Sequence, residues 1–136
     1  MTKHFLVFFL MLSLMMPAIS QDTLIGKMPG KWGICYSIDT LDTICKTPFN
    51  FYTFRADGTC QHGEIIIMGD TIPVTGTWKS ENGSIRIVYD KHPNYIYPPE
   101  TLPDIVFIND KLFYYKVLDN YEVKGHWVFF SFRKLD

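Results

Sequence analysis

The stretch FNFYTFRADGTCQHGEIIIMGDTIPVTGTWK, residues 49–79, decides the fold class. It contains three runs rich in aromatic and β-branched residues, Phe49–Phe54, Thr59–Ile66 and Ile72–Lys79, separated by short segments with Gly or Asp. Such runs between turn residues are typical of β-strands joined by hairpins. The tight turn Arg55–Gly58 supplies a glycine where a positive φ angle is needed. The stretch therefore predicts three consecutive antiparallel strands.

The same pattern continues on both sides and predicts five more strands. They are Lys31–Tyr36, Ser84–Asp90, Asp104–Ile108, Lys111–Val117 and Gly125–Lys134. No sustained 3.6-residue period occurs from Gln21 onward, although Asp22–Pro29 can form a short helical turn. Eight strands joined by hairpins predict an all-β, eight-stranded antiparallel up-and-down barrel, because closure removes the exposed edges of the sheet. A two-sheet sandwich is the alternative.

The length and the N-terminal segment limit the domain organisation. The 136 residues are too few for two ordinary domains. The first 20 residues have a basic residue, Lys3, near their start, and the apolar run Phe5–Met16 follows it. Small residues, Ala18 and Ser20, then occupy the −3 and −1 positions of a secretory cleavage site. We therefore predict a signal peptide over residues 1–20 and a single β-barrel domain over residues 21–136.

The predicted location is the periplasm or the outside of the cell, after cleavage near Ser20. The apolar run is too short for a membrane span, which needs about 20 residues. We therefore expect no membrane span. Gln21 stands where a lipid-anchored protein has a cysteine, so no lipid anchor is expected either. The formal net charge of −1 excludes a basic nucleic-acid-binding surface as the leading function.

An oxidising compartment makes the three cysteines candidates for one disulfide and one free thiol. Cys35 and Cys45 flank the start of the first long connection, whereas Cys60 begins the third predicted strand at the opposite end. A disulfide requires Cα atoms within about 7 Å of each other. The sequence therefore predicts a Cys35–Cys45 disulfide and a free, buried Cys60.

The connections of the predicted meander differ in length in an ordered way. Ser37–Pro48 and Lys91–Pro103 are long, whereas Arg55–Gly58, Glu81–Gly83 and Asn109–Asp110 are short. Because successive connections of a meander lie at alternate ends of the sheet, the long ones share one end. This predicts a cup with a floor of tight turns and an elaborated mouth. The proline-rich second long connection is predicted to form a stiff lid, with a solvated connection of no function as the alternative.

Four short motifs occur in order along the predicted strands. They are Gly30-Lys31-Trp32, the hairpin Tyr52–Thr59, Gly76-Thr77-Trp78-Lys79 and Phe130-Ser131-Phe132-Arg133. This pattern resembles the small secreted lipocalin-like proteins of Bacteroides-type bacteria and, more distantly, the lipocalins. The resemblance covers nearly all of Gly30–Lys134 and implies a ligand-binding barrel. It also implies that Gly30 and Trp32 lie at the barrel floor, with Arg133 across the indole of Trp32.

The alternation of side chains along a strand predicts which residues face the interior. The inward rows are Trp32, Ile34 and Tyr36; Tyr52 and Phe54; Val74, Gly76 and Trp78; Ile85, Ile87 and Tyr89; Leu112 and Tyr114; and Val128, Phe130 and Phe132. An apolar wall with a few hydroxyl groups is typical of small-molecule pockets. The candidate ligand-binding residues are therefore Tyr36, Tyr52, Trp78, Tyr89 and Tyr114 on the wall, with Tyr95 and Tyr97 in the lid. A filled core is the alternative.

The sequence contains no motif that predicts an enzyme. It has neither a nucleophile elbow nor a phosphate-binding glycine loop. Cys60 and His62 share a strand face, but two ligands do not make a metal site, so neither a metal nor a cofactor is predicted. Three carboxylates in the long connections could act as general bases, although loop carboxylates are mostly solvated: Asp39, Asp42 and Glu100.

Two functions follow from these observations. The first is a secreted binding protein that holds a small apolar or amphipathic ligand in the barrel cup. The alternative is a protein- or glycan-interaction module that uses the mouth loops, with the barrel as scaffold. A third, enzymatic hypothesis of isomerase or haem-type chemistry needs a buried carboxylate or histidine on the wall, and the predicted strand faces offer His62 and Glu64 alone.

Overall fold

The computed structural model describes residues 23–122 and 124–135, so the predicted signal peptide lies outside the described residues. In these ranges the chain forms one short helix, α1 (Thr23–Lys27), and nine β-strands. The strands are β1 Gly30–Ile38, β2 Asn50–Phe54, β3 Thr59–Ile67, β4 Asp70–Glu81, β5 Ser84–Tyr89, β6 Glu100–Leu102, β7 Val106–Asn109, β8 Leu112–Asp119 and β9 His126–Leu135. Helix α1 lies within the segment predicted to form a helical turn. No helix within the described ranges is long and apolar enough to cross a membrane.

The nine strands form one curled antiparallel sheet. Its order is β6-β5-β4-β3-β2-β1-β9-β8-β7, so β6 and β7 are the two edges. A flat sheet of this size would hold its edges about 38 Å apart, at about 4.8 Å for each strand spacing. The link between the edges, residues 103–105, spans at most about 14 Å. The sheet must therefore curl until its edges lie close together.

The all-β antiparallel prediction is confirmed, but the prediction of eight strands was wrong. The additional strand is β6, which lies in a segment predicted to be a loop. Pro103 has no N–H group to continue the β5–β6 ladder, and Asp104 has a φ of 46°. The chain therefore leaves β5 after Leu102 and pairs with β8 from Val106 onward. Since no ladder joins these two described edges, the predicted closure by hydrogen bonding is not observed.

The long connections share one end of the sheet, as predicted, although the two-residue turn 68–69 lies at that end too. The hairpins at 55–58, 82–83 and 110–111 share one end, which we call the floor. The segments 39–49, 68–69, 90–99 and 120–125 begin at the opposite end, which we call the mouth. Asn82 and Gly83 both have positive φ angles, as the tight β4–β5 hairpin requires.

The first long connection does not surround the mouth but folds back over the outer face of β1. The predicted disulfide is confirmed: Cys35 and Cys45 are bonded, with their Cα atoms 5.5 Å apart. Pro48 packs so closely on Gly33 that an added Cβ there would lie 2.5 Å from Pro48 Cγ. Cys60 is free and buried, as predicted. The connection therefore buries the outer face of β1, while the curled sheet buries the inner face.

Aromatic side chains fill the floor half of the interior. Trp32 is fully buried, and its ring centroid lies 4.7 Å from that of Phe113. Phe113 in turn stacks on Phe132 at 4.4 Å. Helix α1 packs against the same end, where the Trp32 indole N–H donates a hydrogen bond of 2.8 Å to the Met28 carbonyl. The alternative of a filled core thus holds for this half, and any ligand site lies nearer the mouth.

The role that the resemblance assigned to Arg133 was wrong. Trp32 pairs with Lys134 in the β1–β9 ladder, so Lys134 shares the inner face and Arg133 lies on the outer one. The Lys134 ammonium is 5.6 Å from the centroid of the Trp32 ring. The cation at the floor is therefore a lysine, one residue after the predicted arginine.

The predicted inward row of β8, Leu112 and Tyr114, was also wrong. Phe113 pairs with Phe132, and Tyr115 pairs with Phe130, in the β8–β9 ladder. Because Phe132 belongs to the buried core, its partner Phe113 faces inward. Tyr114 points to the outer face, where its ring lies 6.0 Å from that of Phe129.

Candidate ligand-binding site

Five polar side chains meet on the inner wall above the aromatic core. We call them the Glu100 cluster: Asn50 and Tyr52 of β2, His62 of β3, Tyr89 of β5 and Glu100 of β6. The ladders place them on one face, because Tyr52 pairs with His62 and Glu100 pairs with the buried Ile87. Tyr52 also stacks on the His62 ring, with centroids 3.8 Å apart. Four strands thus contribute to one half-buried site.

The Glu100 carboxylate is the acceptor at the centre of this cluster. The Tyr52 hydroxyl donates to Oε1 at 2.6 Å, and the Tyr89 hydroxyl donates to Oε2 at 2.5 Å. The His62 Nδ1 atom lies 2.8 Å from the Tyr89 oxygen and 3.5 Å from Oε2. Hydrogen bonds to a charged acceptor are stronger than neutral ones, so the carboxylate holds the two tyrosines in place.

The hydrogen bonds of Asn50 set the direction of the donors in the cluster. Its Oδ1 accepts the Phe51 backbone N–H at 2.8 Å, which leaves its Nδ2 facing His62 Nε2 at 3.1 Å. An amide nitrogen only donates, so Nε2 accepts and the imidazole proton is assigned to Nδ1. Nδ1 then donates to the Tyr89 oxygen, and Tyr89 donates to Glu100. The protons of the network are therefore all directed toward the carboxylate.

The electrostatics of the cluster keep one negative charge on the wall. Burial opposes the charge of Glu100, but the neighbouring His62 and the hydroxyl groups of Tyr52 and Tyr89 outweigh it, so the Glu100 pKa is lowered. Burial, followed by the charge of Glu100, raises the pKa of Tyr52 and of Tyr115. Burial and the hydrogen bond to Glu100 raise the pKa of Tyr89. At neutral pH the carboxylate is therefore charged and the hydroxyls are protonated.

The second long connection brings its aromatic side chains to this cluster. The Tyr97 ring lies 5.6 Å from that of Tyr89, and the Tyr95 ring lies 5.0 Å from that of Tyr97. His92 stacks on Tyr95 at 4.4 Å and forms an isolated antiparallel bridge with it. An aromatic row therefore extends from the predicted lid to the wall of the cup.

An apolar recess opens at the mouth on the opposite part of the inner face. Its volume is about 580 Å³. The wall consists of Tyr36, Ile38, Val117, Val128 and Phe130, and the rim consists of Leu118, Asp119, Asn120, Tyr121 and Glu122. The recess is therefore formed by β1, β8 and β9, with the β8–β9 connection beside its opening.

A continuous row of rings joins the recess to the Glu100 cluster. Phe130 of the recess stacks on Tyr115 at 5.0 Å, and Tyr115 lies 5.8 Å from Phe132. Phe132 lies 5.6 Å from Tyr52 of the cluster. The recess and the carboxylate thus lie at the two ends of one packed row of rings, in which Tyr115, Phe132 and Tyr52 are buried.

The structure brings together only some of the predicted ligand-binding residues. Tyr52, Tyr89, Tyr95 and Tyr97 gather around the cluster, and Tyr36 lines the recess. Trp78 lies in the core, where its indole N–H donates to the Arg55 carbonyl at 2.9 Å. Tyr114 is on the outer face.

The sequence missed Asn50, His62 and Glu100 as parts of one site. Alternation backward from Phe54 and forward from Cys60 would have placed Asn50 and His62 on the inner face. Glu100 gave no such signal, because it opens a three-residue strand after two prolines.

The other two candidate carboxylates have local structural roles. Asp39 pairs with His126 Nδ1 at 2.5 Å, and Asp42 accepts the backbone N–H groups of Ile44 and Cys45. These two backbone hydrogen bonds lower the Asp42 pKa. In the part of the chain that the structure describes, no three His, Cys, Asp or Glu side chains are grouped so that they could hold a metal ion.

Comparison with known proteins adds one structural likeness. No protein-family model matches the chain, and no curated protein matches it. Among solved structures, the chain is similar to a lipocalin-like protein from Bacteroides uniformis, with 17% sequence identity and a TM-score of 0.44. The alignment covers 81% of this chain and 100% of that one. At that identity and TM-score we draw no conclusion from the likeness.

Proposed function

We propose that the protein is a secreted or periplasmic binding protein that holds a small apolar or amphipathic molecule in the mouth recess. The single observation that carries this proposal is the recess itself, with its aromatic and aliphatic wall. Its volume of about 580 Å³ falls within the roughly 300–1,000 Å³ of small-molecule sites. The Cys35–Cys45 disulfide supports an oxidising compartment.

We propose binding rather than catalysis for the same interior. A general base works best when its pKa is near the working pH. The lowered pKa of Glu100 makes it a weak base, and Tyr52 and Tyr89 already donate to both of its oxygens. The cluster is therefore better suited to hold a charge in a fixed place than to remove a proton.

The Val117→Gln variant tests the recess as the binding site. A polar amide on the recess wall should weaken binding of the neutral fluorescent probe N-phenyl-naphthylamine at least fivefold, because it removes apolar contact area. Lys116→Gln is the matched control, since the Lys116 ammonium lies over Trp127 on the outer face. Its affinity should stay within twofold of the wild type. Fluorescence titration, with decanol as competitor, measures both.

Two results would contradict this proposal. Failure of the wild-type protein to bind the probe or decanol would exclude an apolar binding site. Equal affinities for Val117→Gln and Lys116→Gln would place the ligand outside the recess.

Exposed apolar side chains at the mouth favour a second candidate function, docking of a partner protein. Met68, Ile96 and Tyr121 are each 95% exposed and lie in three different mouth connections. The floor hairpins carry small or polar residues instead, such as Asp57 and Asn82. Apolar tips concentrated at one end of a molecule are typical of interaction surfaces.

A triple variant with serine in place of Met68, Ile96 and Tyr121 tests whether the mouth docks a partner protein. If the mouth binds a partner, the triple variant should lose partner capture from an envelope extract of the source organism, while its far-UV circular dichroism spectrum stays that of the wild type. The control replaces three half-exposed strand residues that lie outside the mouth connections with serine: Val88, Val106 and Ile108. Equal capture by wild type and both variants would exclude docking at the mouth.

A further inference from the structure

We infer that the Glu100 cluster binds the protonated amine of an amphipathic ligand whose apolar part lies in the mouth recess. This inference rests on the proposed function and specifies the chemistry of the ligand. It depends on three features of the inner face: its charge, the direction of its hydrogen-bond donors and its aromatic rings.

The charges that face the cup favour a cation. Glu100 is a carboxylate whose side chain is 30% exposed, so a ligand can reach it. The rim of the recess adds Glu122, and none of the described residues that line the recess is a lysine or an arginine. Lys134, on the inner row of β9, lies at the floor over Trp32. A site of one sign of charge with low-dielectric walls attracts the opposite charge.

The direction of the hydrogen bonds favours a donor over an acceptor. The hydroxyl protons of Tyr52 and Tyr89 both point to Glu100, and the His62 Nδ1 proton points to Tyr89. These protons are therefore unavailable to a ligand carboxylate or phosphate. Each carboxylate oxygen has a second lone pair that an ammonium group can use.

Two tyrosine rings on the mouth side of the same carboxylate can meet a ligand. Tyr89 is half-buried and contacts Tyr97, which is 39% exposed, whereas Tyr52 is buried against His62. Tyrosine rings attract ammonium groups through their negative faces, by about 0.5–2 kcal/mol per contact. A carboxylate among such rings thus offers an amine both a charge partner and cation–π contacts.

The test compares three ligands that differ only in the head group: decylamine, decanol and decanoate. Competition with N-phenyl-naphthylamine at neutral pH and low salt measures each affinity. Decylammonium should bind at least tenfold more tightly than decanol, and decanoate should bind most weakly. Added salt should weaken binding of the amine and leave decanol unchanged, because screening acts on the charge pair.

The Glu100→Gln variant removes the charge and keeps an oxygen that can accept a tyrosine hydroxyl. It should reduce the affinity for decylamine about tenfold and change that for decanol less than twofold. Glu64→Gln is the control, since Glu64 is an exposed acid on β3, and it should change neither affinity.

The outcomes separate the inference from the proposed function. If the three ligands bind the wild type equally, or decanoate binds best, the amine inference is wrong and the binding protein stands. If decanol binds like decylamine and both depend on Glu100, the site recognises neutral donors and the inference is again wrong. If no decyl compound binds, the proposed function itself fails. The affinities of the wild-type protein for the three decyl compounds test the amine inference even if Glu100→Gln does not fold.

Discussion

Replacing Trp32 with alanine is expected to lower the free energy of unfolding by about 3–5 kcal/mol, as for other buried aromatic residues. Trp32 is fully buried, and its ring centroid lies 4.7 Å from that of Phe113 and 6.2 Å from that of Phe107. Phe107 belongs to the edge strand β7, so the indole joins the interior strand β1 to an edge of the curled sheet. Alanine would leave a cavity there and would also release the Met28 carbonyl that the indole N–H binds.

Urea denaturation followed by far-UV circular dichroism measures this loss. Trp127→Ala is the matched control, because Trp127 is 44% exposed and contacts Lys116 on the outer face. An exposed cation–π contact contributes about 0.5–1 kcal/mol, so the control should lose no more than about 1 kcal/mol. Similar losses for Trp32→Ala and Trp127→Ala would contradict the inner row assigned to β1.

The strands and tight turns could be predicted because their signals are local. Trp32 and Ile34 alternate with outward residues within one strand, and Asn82-Gly83 marks a hairpin by its backbone preferences alone. Successive connections of a meander lie at alternate ends of the sheet, so the order of long and short connections along the chain placed the long ones at one end. The Cys35–Cys45 pair followed from that placement, and the structure confirms it.

The facing of β8 could not be predicted because it depends on register. A slip of one residue moves every side chain of a strand to the other face. Phe113, Tyr114 and Tyr115 are all aromatic, so neither row of β8 is more apolar than the other. Only the pairing of Phe113 with Phe132 decides between them.

The Glu100 cluster escaped prediction because its parts are distant in sequence. Tyr52 and Glu100 are 48 residues apart, and four strands contribute to the cluster. Glu100 follows Pro98 and Pro99, which favour an irregular segment, and β6 is only three residues long. The segment forms strand β6 because it pairs with β5, and no local sequence pattern encodes that tertiary contact.

Reduction of the Cys35–Cys45 disulfide is expected to destabilise the fold by about 3 kcal/mol, the chain-entropy value for a loop of this length. For a domain of this size, that corresponds to a fall in Tm of about 10 °C. The connection that the bond anchors packs Pro48 on Gly33 and buries Cys35 on the outer face of β1. Without the bond, the connection is still joined to β1 by hydrogen bonds from the Phe49 N–H to the Ile34 carbonyl at 3.0 Å and from the Asp42 N–H to Ser37 Oγ at 3.2 Å.

Thermal unfolding with and without a thiol reductant tests this in a Cys60→Ala background. Burial raises the pKa of the Cys60 thiol to about 11, so it is protonated and unreactive at neutral pH, and the background removes it from the comparison altogether. The reductant should lower the Tm of this variant and leave a Cys35→Ala/Cys45→Ala double variant unchanged, at the lower Tm. An unchanged Tm on full reduction would contradict this prediction, because loss of the crosslink enlarges the unfolded ensemble and must lower the Tm unless the bond costs the folded state a similar free energy.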